Sequence, residues 1–412
     1  MYVEMISTML LTVFFIFLKT QLLIMHIANR VKNLGTEGAF EVLAKARALE
    51  AQGKKIVHLE IGEPDFNTPQ FIIDAAKKAL DDGYTHYLPS AGLPALREAI
   101  AEHISFTRNI DVSPDEVVIT PGAKPIFNFV INASINEGDE VIYPNPAYPI
   151  YESLINFVGG KSVPYVLREE KGFRFDLKEV ESLVTSRTRM IILNTPQNPT
   201  GGIMTEEDIA GVAELAKKHD LMVMSDEIYD RILYDGFIHK SIASLPGMKE
   251  RTIIVNGFSK TYAMTGWRLG YGVMPKEYAT LIAKMQINAT SHATAFVQVA
   301  GAVGLRGSQN EVDTMVEEFK NRRDLIVSGL NAIPGVSCHK PLGAFYVFPN
   351  IKKTGKDSKT LADILMNDAG IACLPGTAFG KHGEGYLRFS YANSLENIEL
   401  ALKNMERVIR SF

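Results

Sequence analysis

The middle of the chain alternates short runs of continuously apolar residues with stretches of helical periodicity. The apolar runs include MIILN at 190–194, LMVM at 221–224 and TIIV at 252–255. A strand with one face in water alternates apolar and polar residues, whereas a strand covered on both faces is apolar throughout. Because helical stretches such as 206–218 separate the runs, the pattern predicts an α/β fold with a mostly parallel sheet covered by helices on both faces. The predicted strands are residues 117–120, 140–143, 190–194, 221–225, 252–256 and 269–273.

The two ends of the chain have a different texture. Apolar spacing before the sheet predicts helices and one short strand, at 39–52, 56–61 (the strand), 70–82 and 93–105. After about residue 305 a long charged helix, two short strands and a final helix are predicted, the first three at 309–330, 344–348 and 385–390. We therefore expect a large domain at 71–305, a smaller α+β domain at 306–412 that the N-terminal segment 26–70 joins and completes, and an apolar extension at 1–25.

Composition narrows the class of protein. The 412 residues are 46% hydrophobic and carry a net charge of −4, which gives no electrostatic reason to expect nucleic acid or an anionic membrane as partner. The two cysteines, Cys338 and Cys373, are far apart and lack ligand spacing. We therefore predict no disulfide framework and no metal site, and we expect a reducing, cytoplasmic location.

The first residues are apolar without having a standard targeting pattern. Lys19 interrupts the stretch 6–25, so its uncharged run is shorter than the ~18–20 residues of a spanning helix. Glu4 is the only charge before it, and no small-x-small cleavage site follows, unlike a signal peptide. We favour the hypothesis that this segment lies outside the functional protein and that translation starts at Met25. The alternative is a membrane anchor.

Polar residues follow the carboxyl ends of the predicted strands, which is where open α/β sheets place ligands. The strand at 252–256 leads into GFSKTYAMTGWRLG, so Lys260 lies on a turn of small residues and Arg268 follows in a second one. A lysine so placed is suited to forming a Schiff base with an aldehyde, and an arginine is suited to binding a phosphate bidentately. Pyridoxal phosphate carries both groups. Either residue alone would be interpreted as a surface charge.

Three turns upstream fit the same chemistry. In Pro121-Gly122-Ala123-Lys124, small residues at a strand-to-helix turn allow backbone N–H groups to meet a phosphate. Asn198, in the loop QNPTGG, has an amide that can donate to an oxygen anion. Asp226, in SDEIY, ends a buried strand and requires a cationic partner such as a pyridinium N–H, and Tyr229 follows it closely. Taken singly, each motif also fits a connecting loop or a helix cap.

Together, and in this order, the motifs resemble those of class I aminotransferases, the aspartate aminotransferase group of the fold type I pyridoxal-phosphate enzymes. The resemblance covers nearly all of the chain after about residue 27. It implies the fold of that group, pyridoxal 5'-phosphate as cofactor, and an amino acid and a 2-oxo acid as substrates. It also implies a homodimer with shared active sites.

The resemblance assigns cofactor roles to individual residues. Lys260 corresponds to the Schiff-base lysine, and Asp226 to the carboxylate that faces the pyridine nitrogen. Tyr229 and Asn198 correspond to the groups on the ring oxygen, and Tyr148 to the aromatic residue stacked on the ring. The implied phosphate-binding group consists of Gly122, Ala123, Lys124, Arg268 and, from the neighbouring subunit, Tyr87.

The same resemblance assigns the substrate site. Arg388, in YLRFS, corresponds to the arginine that binds the α-carboxylate. The backbone of Gly62 contacts the same carboxylate in the family, and Asn198 also belongs to the substrate-binding group. These three residues are therefore predicted to bind the amino acid.

The chain departs from the family pattern at two points. Many relatives have a phosphate-binding serine three positions before the lysine, where this chain has Gly257. Either the phosphate site lacks one donor or Ser259 substitutes for it. No match is evident for the arginine that some relatives use for a distal carboxylate, although Lys124 lies where one branch has a lysine suspected of that task.

The predicted function is transfer of an amino group from an L-amino acid, aspartate being the first choice, to a 2-oxo acid such as 2-oxoglutarate. An aromatic or broad-specificity aminotransferase, a C–S lyase and a decarboxylase share the same motifs, since fold kinship does not determine the substrate. A pyridoxal-phosphate-sensing regulator would need a DNA-binding module, and none precedes residue 60. A nicotinamide dehydrogenase is disfavoured because no G-x-G-x-x-G follows the first strand.

Overall fold

The computed structural model describes residues 27–412. The apolar extension predicted at 1–25, with its alternatives of a start at Met25 or a membrane anchor, lies outside the described residues. Within 27–412, every helix is too short or too polar to cross a bilayer.

The strands are short and mostly buried. In chain order they are β1 (Val57–His58), β2 (Val117–Thr120), β3 (Glu140–Asn145), β4 (Lys161–Val166), β5 (Thr188–Asn194), β6 (Met222–Asp226), β7 (Thr252–Gly257), β8 (Gly270–Val273), β9 (Tyr346–Val347), β10 (Ile371–Ala372), β11 (Leu374–Pro375) and β12 (Leu387–Ser390).

The α-helices follow between them. They are α1 (Gly38–Glu50), α2 (Gln70–Asp81), α3 (Pro94–Arg108), α4 (Lys124–Ser134), α5 (Ile150–Phe157), α6 (Leu177–Ser182), α7 (Glu206–Lys218), α8 (Lys276–Ala289), α9 (Ala295–Arg306), α10 (Asn310–Ala332), α11 (Ser358–Ile364) and α12 (Leu395–Ile409).

Seven of the described strands form one large sheet in the order β2–β8–β7–β6–β5–β3–β4. Strands β3 to β7 pair in parallel, and β8 runs antiparallel to both β7 and β2. Side chains that alternate along β2 enter different apolar clusters, because Val117 and Ile119 pack in one and Val118 in another. The sheet is therefore covered on both faces, and the predicted α/β fold with a mostly parallel sheet is confirmed.

The C-terminal part of the chain contains two small sheets. Strand β12 pairs antiparallel with β11 and β9, and β1 pairs in parallel with β10, with Val57 opposite Ile371. Helices α10 and α12 pack on each other beside these strands, in a core that includes Phe319, Leu387 and Ile398. The N-terminal strand β1 thus pairs with a C-terminal strand, β10. The predicted domain boundaries remain a prediction.

The sequence pattern located most elements within a few residues but missed the two-residue strands β10 and β11 and the longer strand β4. Strand β4 forms one edge of the large sheet, and its sequence KSVPYV is only partly buried. A proline in an edge strand removes a donor where no neighbour needs it. The predicted strands at 56–61, 344–348 and 385–390 are shorter in the structure, because only part of each run pairs with a neighbour.

Candidate active site

The carboxyl ends of β5, β6 and β7 open into a cavity of about 510 Å³. Parallel neighbours bring the last residues of β5 and β6, Asn194 and Asp226, opposite each other, and Lys260 follows β7 on the adjacent turn. Residues predicted from the sequence make up much of the wall. Those that line it are Gly62, Ala123, Lys124, Tyr148, Asn198, Asp226, Tyr229, Lys260, Arg268 and Arg388.

Lys260 points into this cavity towards the N-terminal segment. Its Nζ donates to the backbone oxygen of Gly62 and lies 5.9 Å from the centroid of the Phe345 ring. Burial lowers the pKa of the amine to about 8; the charge of Glu63 opposes the shift and that of Arg388 adds to it. Roughly a tenth of the amine is therefore neutral at pH 7, far more than for an ordinary lysine, and this fraction can act as a nucleophile or a base.

Asp226 is a buried carboxylate, only 4% exposed. Its Oδ2 accepts a 2.5 Å hydrogen bond from the hydroxyl of Tyr151, and its Oδ1 accepts one of 3.2 Å from the backbone N–H of Ile228. Burial nevertheless raises the pKa of Asp226 to about 6. A carboxylate in this setting gains much from a cation placed in the cavity beside it.

Arg388 extends from β12 into the same cavity and lies close to two aromatic rings. Its guanidinium carbon lies 4.6 Å from the centroid of Tyr346 and 5.0 Å from that of Phe379. Nη1 lies 3.4 Å from Asn198 Oδ1, and Nη2 donates to the backbone oxygen of Glu60. Among residues 27–412, Nε is buried without a partner, and burial lowers the pKa of the side chain. The Arg388 guanidinium is therefore held in place, and its Nε–H can still donate to an anion.

Two close approaches of glycine shape the turn that holds Arg268. Arg268 has φ 55° and its Nη1 donates a 2.8 Å hydrogen bond to the backbone oxygen of Thr265. Gly122 has φ 83°, and a Cβ there would collide with the Arg268 guanidinium. A Cβ at Gly270 would collide with the backbone of Gly122 and Ala123. Gly122 thus leaves room for Arg268 without lining the cavity itself.

Glu37, just before α1, connects two of the predicted site residues. Its Oε1 accepts a 2.9 Å hydrogen bond from the Tyr148 hydroxyl and forms an ion pair with Lys124 Nζ. The Lys124 ammonium also lies 5.9 Å from the centroid of the Tyr148 ring. The N-terminal segment therefore supplies a carboxylate to the rim of the cavity.

Tyr229 lies in the cavity wall beside a second tyrosine. Its hydroxyl is 2.8 Å from that of Tyr346, and both side chains are almost completely buried. The sequence motif indicated Tyr229 but not Tyr346.

Tyr87 lies apart from the others. It is 90% exposed, and its ring meets that of His292 edge-on at 5.7 Å between centroids. The structure does not bring it to the cavity of its own chain, and its contact with a neighbouring subunit remains a prediction.

Gly257 has a packing reason for being small. A Cβ at this position would lie 3.0 Å from both the Gly270 Cα and the Leu269 backbone oxygen, where β7 and β8 pair. Ser259, two residues later, lines the cavity. Its use as a phosphate donor in place of residue 257 remains a prediction.

Sequence reasoning missed three residues of the site, namely Glu37, Tyr151 and Tyr346. Tyr151 follows Tyr148 within NPAYPIY, and its partner Asp226 lies on a distant strand. Tyr346 lies in the stretch 344–348, whose pattern predicts only a strand. The available signal was the presence of polar hydroxyls in otherwise apolar, buried segments, since a buried phenol usually has a hydrogen-bond partner.

Comparison with known proteins agrees with this geometry. The family described as Aminotransferase class I and II matches residues 54–405. The chain is 46% identical to an aspartate aminotransferase of Pyrococcus abyssi, over 87% of this chain and 92% of the relative. It is 44% identical to an aromatic-amino-acid aminotransferase 2 of Thermococcus litoralis, over 87% and 93% of the two chains.

The solved structures lead to the same family. An aspartate aminotransferase from Thermus thermophilus, determined with maleate, superimposes with a TM-score of 0.90 at 37% identity, covering 93% of this chain and 100% of that one. The resemblance found in the sequence motifs is thereby confirmed. The chain belongs to the class I and II aminotransferases and is a transaminase with the fold type I architecture.

Proposed function

We propose that this transaminase holds pyridoxal 5'-phosphate in the cavity of Lys260 and uses it to move amino groups from an L-amino acid to a 2-oxo acid. The observation that supports this most strongly is the sharing of one cavity by three groups of matching chemistry. Lys260 offers an amine, Asp226 a buried carboxylate and Arg268 a guanidinium. These match the aldehyde, the ring nitrogen and the phosphate of that cofactor.

The unsatisfied groups of the site fit the cofactor. The raised pKa of Asp226 means that burial outweighs the groups that favour its ionised form, and a protonated ring nitrogen would add a cation beside it. Arg268 stands beside the turn of Gly122 and Ala123, where α4 begins. Backbone N–H groups at a helix start and a guanidinium are together suited to a phosphate. Tyr148 provides an aromatic surface in the same wall.

When bound, the cofactor withdraws electrons from the substrate Cα. Asp226 then keeps the ring nitrogen protonated, because a nearby carboxylate favours the cationic form in a site of low effective dielectric. Lys260, once free, moves a proton at the substrate Cα, a role that typically contributes ~10²–10⁴-fold to the rate. A pKa of about 8 suits this role, because the amine exchanges a proton easily at neutral pH.

Arg388 is proposed to bind the α-carboxylate. Its buried Nε has no partner in the part of the chain that the structure describes, and Asn198 and the aromatic rings hold the guanidinium. Together with the backbone of Gly62, it would orient the Cα–H bond of the substrate for proton removal.

Aspartate with 2-oxoglutarate is the first substrate pair we propose. Relatives named for aspartate support this pair, while a relative named for aromatic amino acids supports a wider range. Lys124 is the cation at the rim of the cavity, where a distal carboxylate would compete with Glu37 for it. An acidic side chain would thus gain an ion pair that an aromatic one would not.

We also propose a cytoplasmic homodimer. Tyr87 is 90% exposed and stands beside His292, as expected of a side chain that reaches the site of a second copy. Both cysteines are unpaired and buried, which suits a reducing compartment.

One labelling experiment tests the cofactor assignment. Enzyme incubated with pyridoxal 5'-phosphate and reduced with borohydride should carry the label on the peptide that contains Lys260. A K260A variant should carry none there, and a K124M variant should keep it, since Lys124 has a different role. Labelling spread over surface lysines, with Lys260 unmodified, would refute the assignment.

A single-turnover experiment tests the reaction and the substrate. Loaded enzyme mixed with one amino acid at a time, without a 2-oxo acid, should release one equivalent of the corresponding 2-oxo acid per active site and then stop. Aspartate should react fastest in the panel. Continuous release of pyruvate and ammonia from a cysteine-derived donor would instead indicate the lyase.

A further inference from the structure

Tyr346 touches three parts of the site at once. Its hydroxyl is 2.8 Å from the Tyr229 hydroxyl, and its ring supports the Arg388 guanidinium at 4.6 Å. A Cβ at Gly62 would collide with the same hydroxyl, so the Gly62 backbone passes directly over it. Strand β9 places Tyr346 opposite Ser390 of β12, two residues from Arg388. One side chain thus connects the residues proposed to bind the ring oxygen and the substrate.

The hydrogen bond between the two phenols must have a direction. Each hydroxyl has one proton to donate and can accept from others. Burial holds the pKa of both phenols above its ordinary value, so each keeps its proton at neutral pH. If the Tyr229 hydroxyl donates its hydrogen bond to the ring oxygen of the cofactor, it has no second proton with which to donate to Tyr346. Tyr346 must then donate to Tyr229.

We propose that Tyr346 is a positioning residue with two separable actions: its hydroxyl donates to Tyr229, and its ring holds Arg388 for the substrate carboxylate. The inference rests on the proposed function, because the direction of the bond follows from the ring oxygen. A donor to the Tyr229 oxygen polarises that hydroxyl and strengthens the bond it donates in turn. The hydroxyl therefore acts on the cofactor, and the ring acts on the substrate.

The two actions can be separated because a second ring also lies close to the Arg388 guanidinium. Phe379 lies 5.0 Å from the guanidinium carbon and its only aromatic partner among the described residues is Phe348. Y346F removes a single oxygen and keeps the ring under Arg388. F379L removes the other ring and leaves both phenols intact. Y346L removes the hydroxyl and the ring together, so its comparison with Y346F isolates the Tyr346 ring, while F379L tests the second ring alone.

The first measurement is the pH midpoint of the visible absorption change of the loaded enzyme. In Y346F, Tyr229 becomes a weaker donor to the ring oxygen. The deprotonated form of the bound cofactor is then less stabilised, and the midpoint should rise by about 0.3 pH unit. F379L should leave the midpoint where it is. The charged groups acting on the two phenols, which are Arg388, Asp226 and Glu37, are unchanged in both variants.

The second measurement is the equilibrium binding of succinate to the loaded enzyme, followed by absorbance. Y346L should bind succinate roughly threefold or more weakly than Y346F, because a guanidinium that has lost an aromatic contact is held less firmly, and F379L should weaken binding for the same reason. Equal binding by Y346L and Y346F would show that the Tyr346 ring does not hold Arg388. Y346F should change binding less than about twofold, since its ring is retained. Thermal unfolding of each variant checks that it is folded, and Y346F is the variant on which the direction of the hydrogen bond is decided.

The outcomes distinguish this inference from the function on which it rests. If wild-type enzyme takes up no cofactor at Lys260, the proposed function is wrong. If wild-type enzyme shows the absorption change but Y346F leaves its midpoint unmoved, or lowers it, Tyr346 is not the donor. A lowered midpoint would mean that Tyr229 donates to Tyr346 in the wild-type enzyme, and that the substitution allows Tyr229 to donate to the ring oxygen of the cofactor instead.

Discussion

The hydroxyl of Tyr151 donates a 2.5 Å hydrogen bond to Oδ2 of Asp226. This bond and the one from the Ile228 N–H hold the carboxylate in one orientation, on the side of the cavity where the cofactor ring is proposed to lie. Both bonds favour the ionised form, while burial opposes it. Removing a donor should therefore weaken cofactor binding more than it destabilises the fold.

We expect Y151F to weaken binding of pyridoxal 5'-phosphate to the apoenzyme by roughly tenfold or more, because a hydrogen bond to an ionised group contributes ~1.5–3 kcal/mol. Fluorescence titration of the apoenzyme with pyridoxal 5'-phosphate measures the dissociation constant. Y165F is the matched control: Tyr165 is also a buried phenol, and its hydroxyl donates at 3.2 Å to the backbone oxygen of Ile192, outside the cavity. Equal losses in the two variants would contradict a specific role for Tyr151.

The lowered pKa of Lys260 predicts the pH dependence of cofactor capture. Below pH 8 the amine is mostly protonated and cannot attack an aldehyde, so the second-order rate of capture should rise with pH and level off above a midpoint of about 8. Stopped-flow absorbance on the apoenzyme gives the profile. A midpoint near 10.5, the ordinary value for lysine, would show that burial does not act on this amine.

The fork of Arg388 predicts a loss of substrate affinity in R388K. A lysine ammonium cannot reproduce a bidentate contact or stack between two rings, so KM for the amino acid should rise by about tenfold or more. R322K is a suitable control, because Arg322 also stacks on aromatic rings but pairs with Asp65 and Glu318 elsewhere. Steady-state kinetics with a fixed 2-oxo acid makes the comparison, and an unchanged KM in R388K would exclude the assignment.

The ion pair of Lys124 and Glu37 predicts how substrates are distinguished. In K124M, KM should rise for aspartate, by about tenfold if the distal carboxylate loses a charged hydrogen bond, and should stay within about twofold for phenylalanine. E37Q provides the opposite test, since it frees Lys124 and should favour the acidic substrate. A similar change for both substrates in K124M would assign Lys124 to the cofactor alone.

A buried ion cluster beneath the site predicts a large effect on stability. Arg108 Nε lies 2.9 Å from Glu227 Oε2, Nη2 pairs with Asp230, and all three side chains are almost fully buried. R108A leaves two buried carboxylates without this partner and should lower the free energy of unfolding by about 3–5 kcal/mol. R306A removes an exposed pair with Glu102, at 3.0 Å, and should cost less than about 1 kcal/mol. Urea unfolding of the apoenzymes compares them, and similar stabilities would contradict the argument.

Much of the architecture was predictable because it depends on local sequence patterns. The strands β5, β6 and β7 are buried on both faces and therefore consist of apolar runs that need no partner to be recognised. The edge strand β4 was not predictable, because its exposed positions carry no such run. The other edge strand, β2, is fully buried and was predicted at its observed bounds. Apolar runs therefore identify fully buried strands better than partly exposed ones.

The candidate site was predictable to the extent that its residues lie in compact motifs. Lys260, Asp226 and Asn198 each end or follow a strand in a run of unusual small or polar residues, and the cavity contains all three. Glu37 and Tyr346 lie in ordinary segments and reach the site only through contacts with residues far away in the chain. A single sequence carries no signal for such contacts.

The sequence alone determined that this chain forms a doubly covered sheet and presents an amine, a carboxylate and two arginines near its strand ends, because periodicity and short motifs are properties of neighbouring residues. Only the tertiary structure decided which donors hold Asp226, which rings hold Arg388 and that Tyr346 connects two parts of the site. Those relations, and the burial that sets the pKa of Asp226 and Lys260, depend on side chains brought together from distant positions.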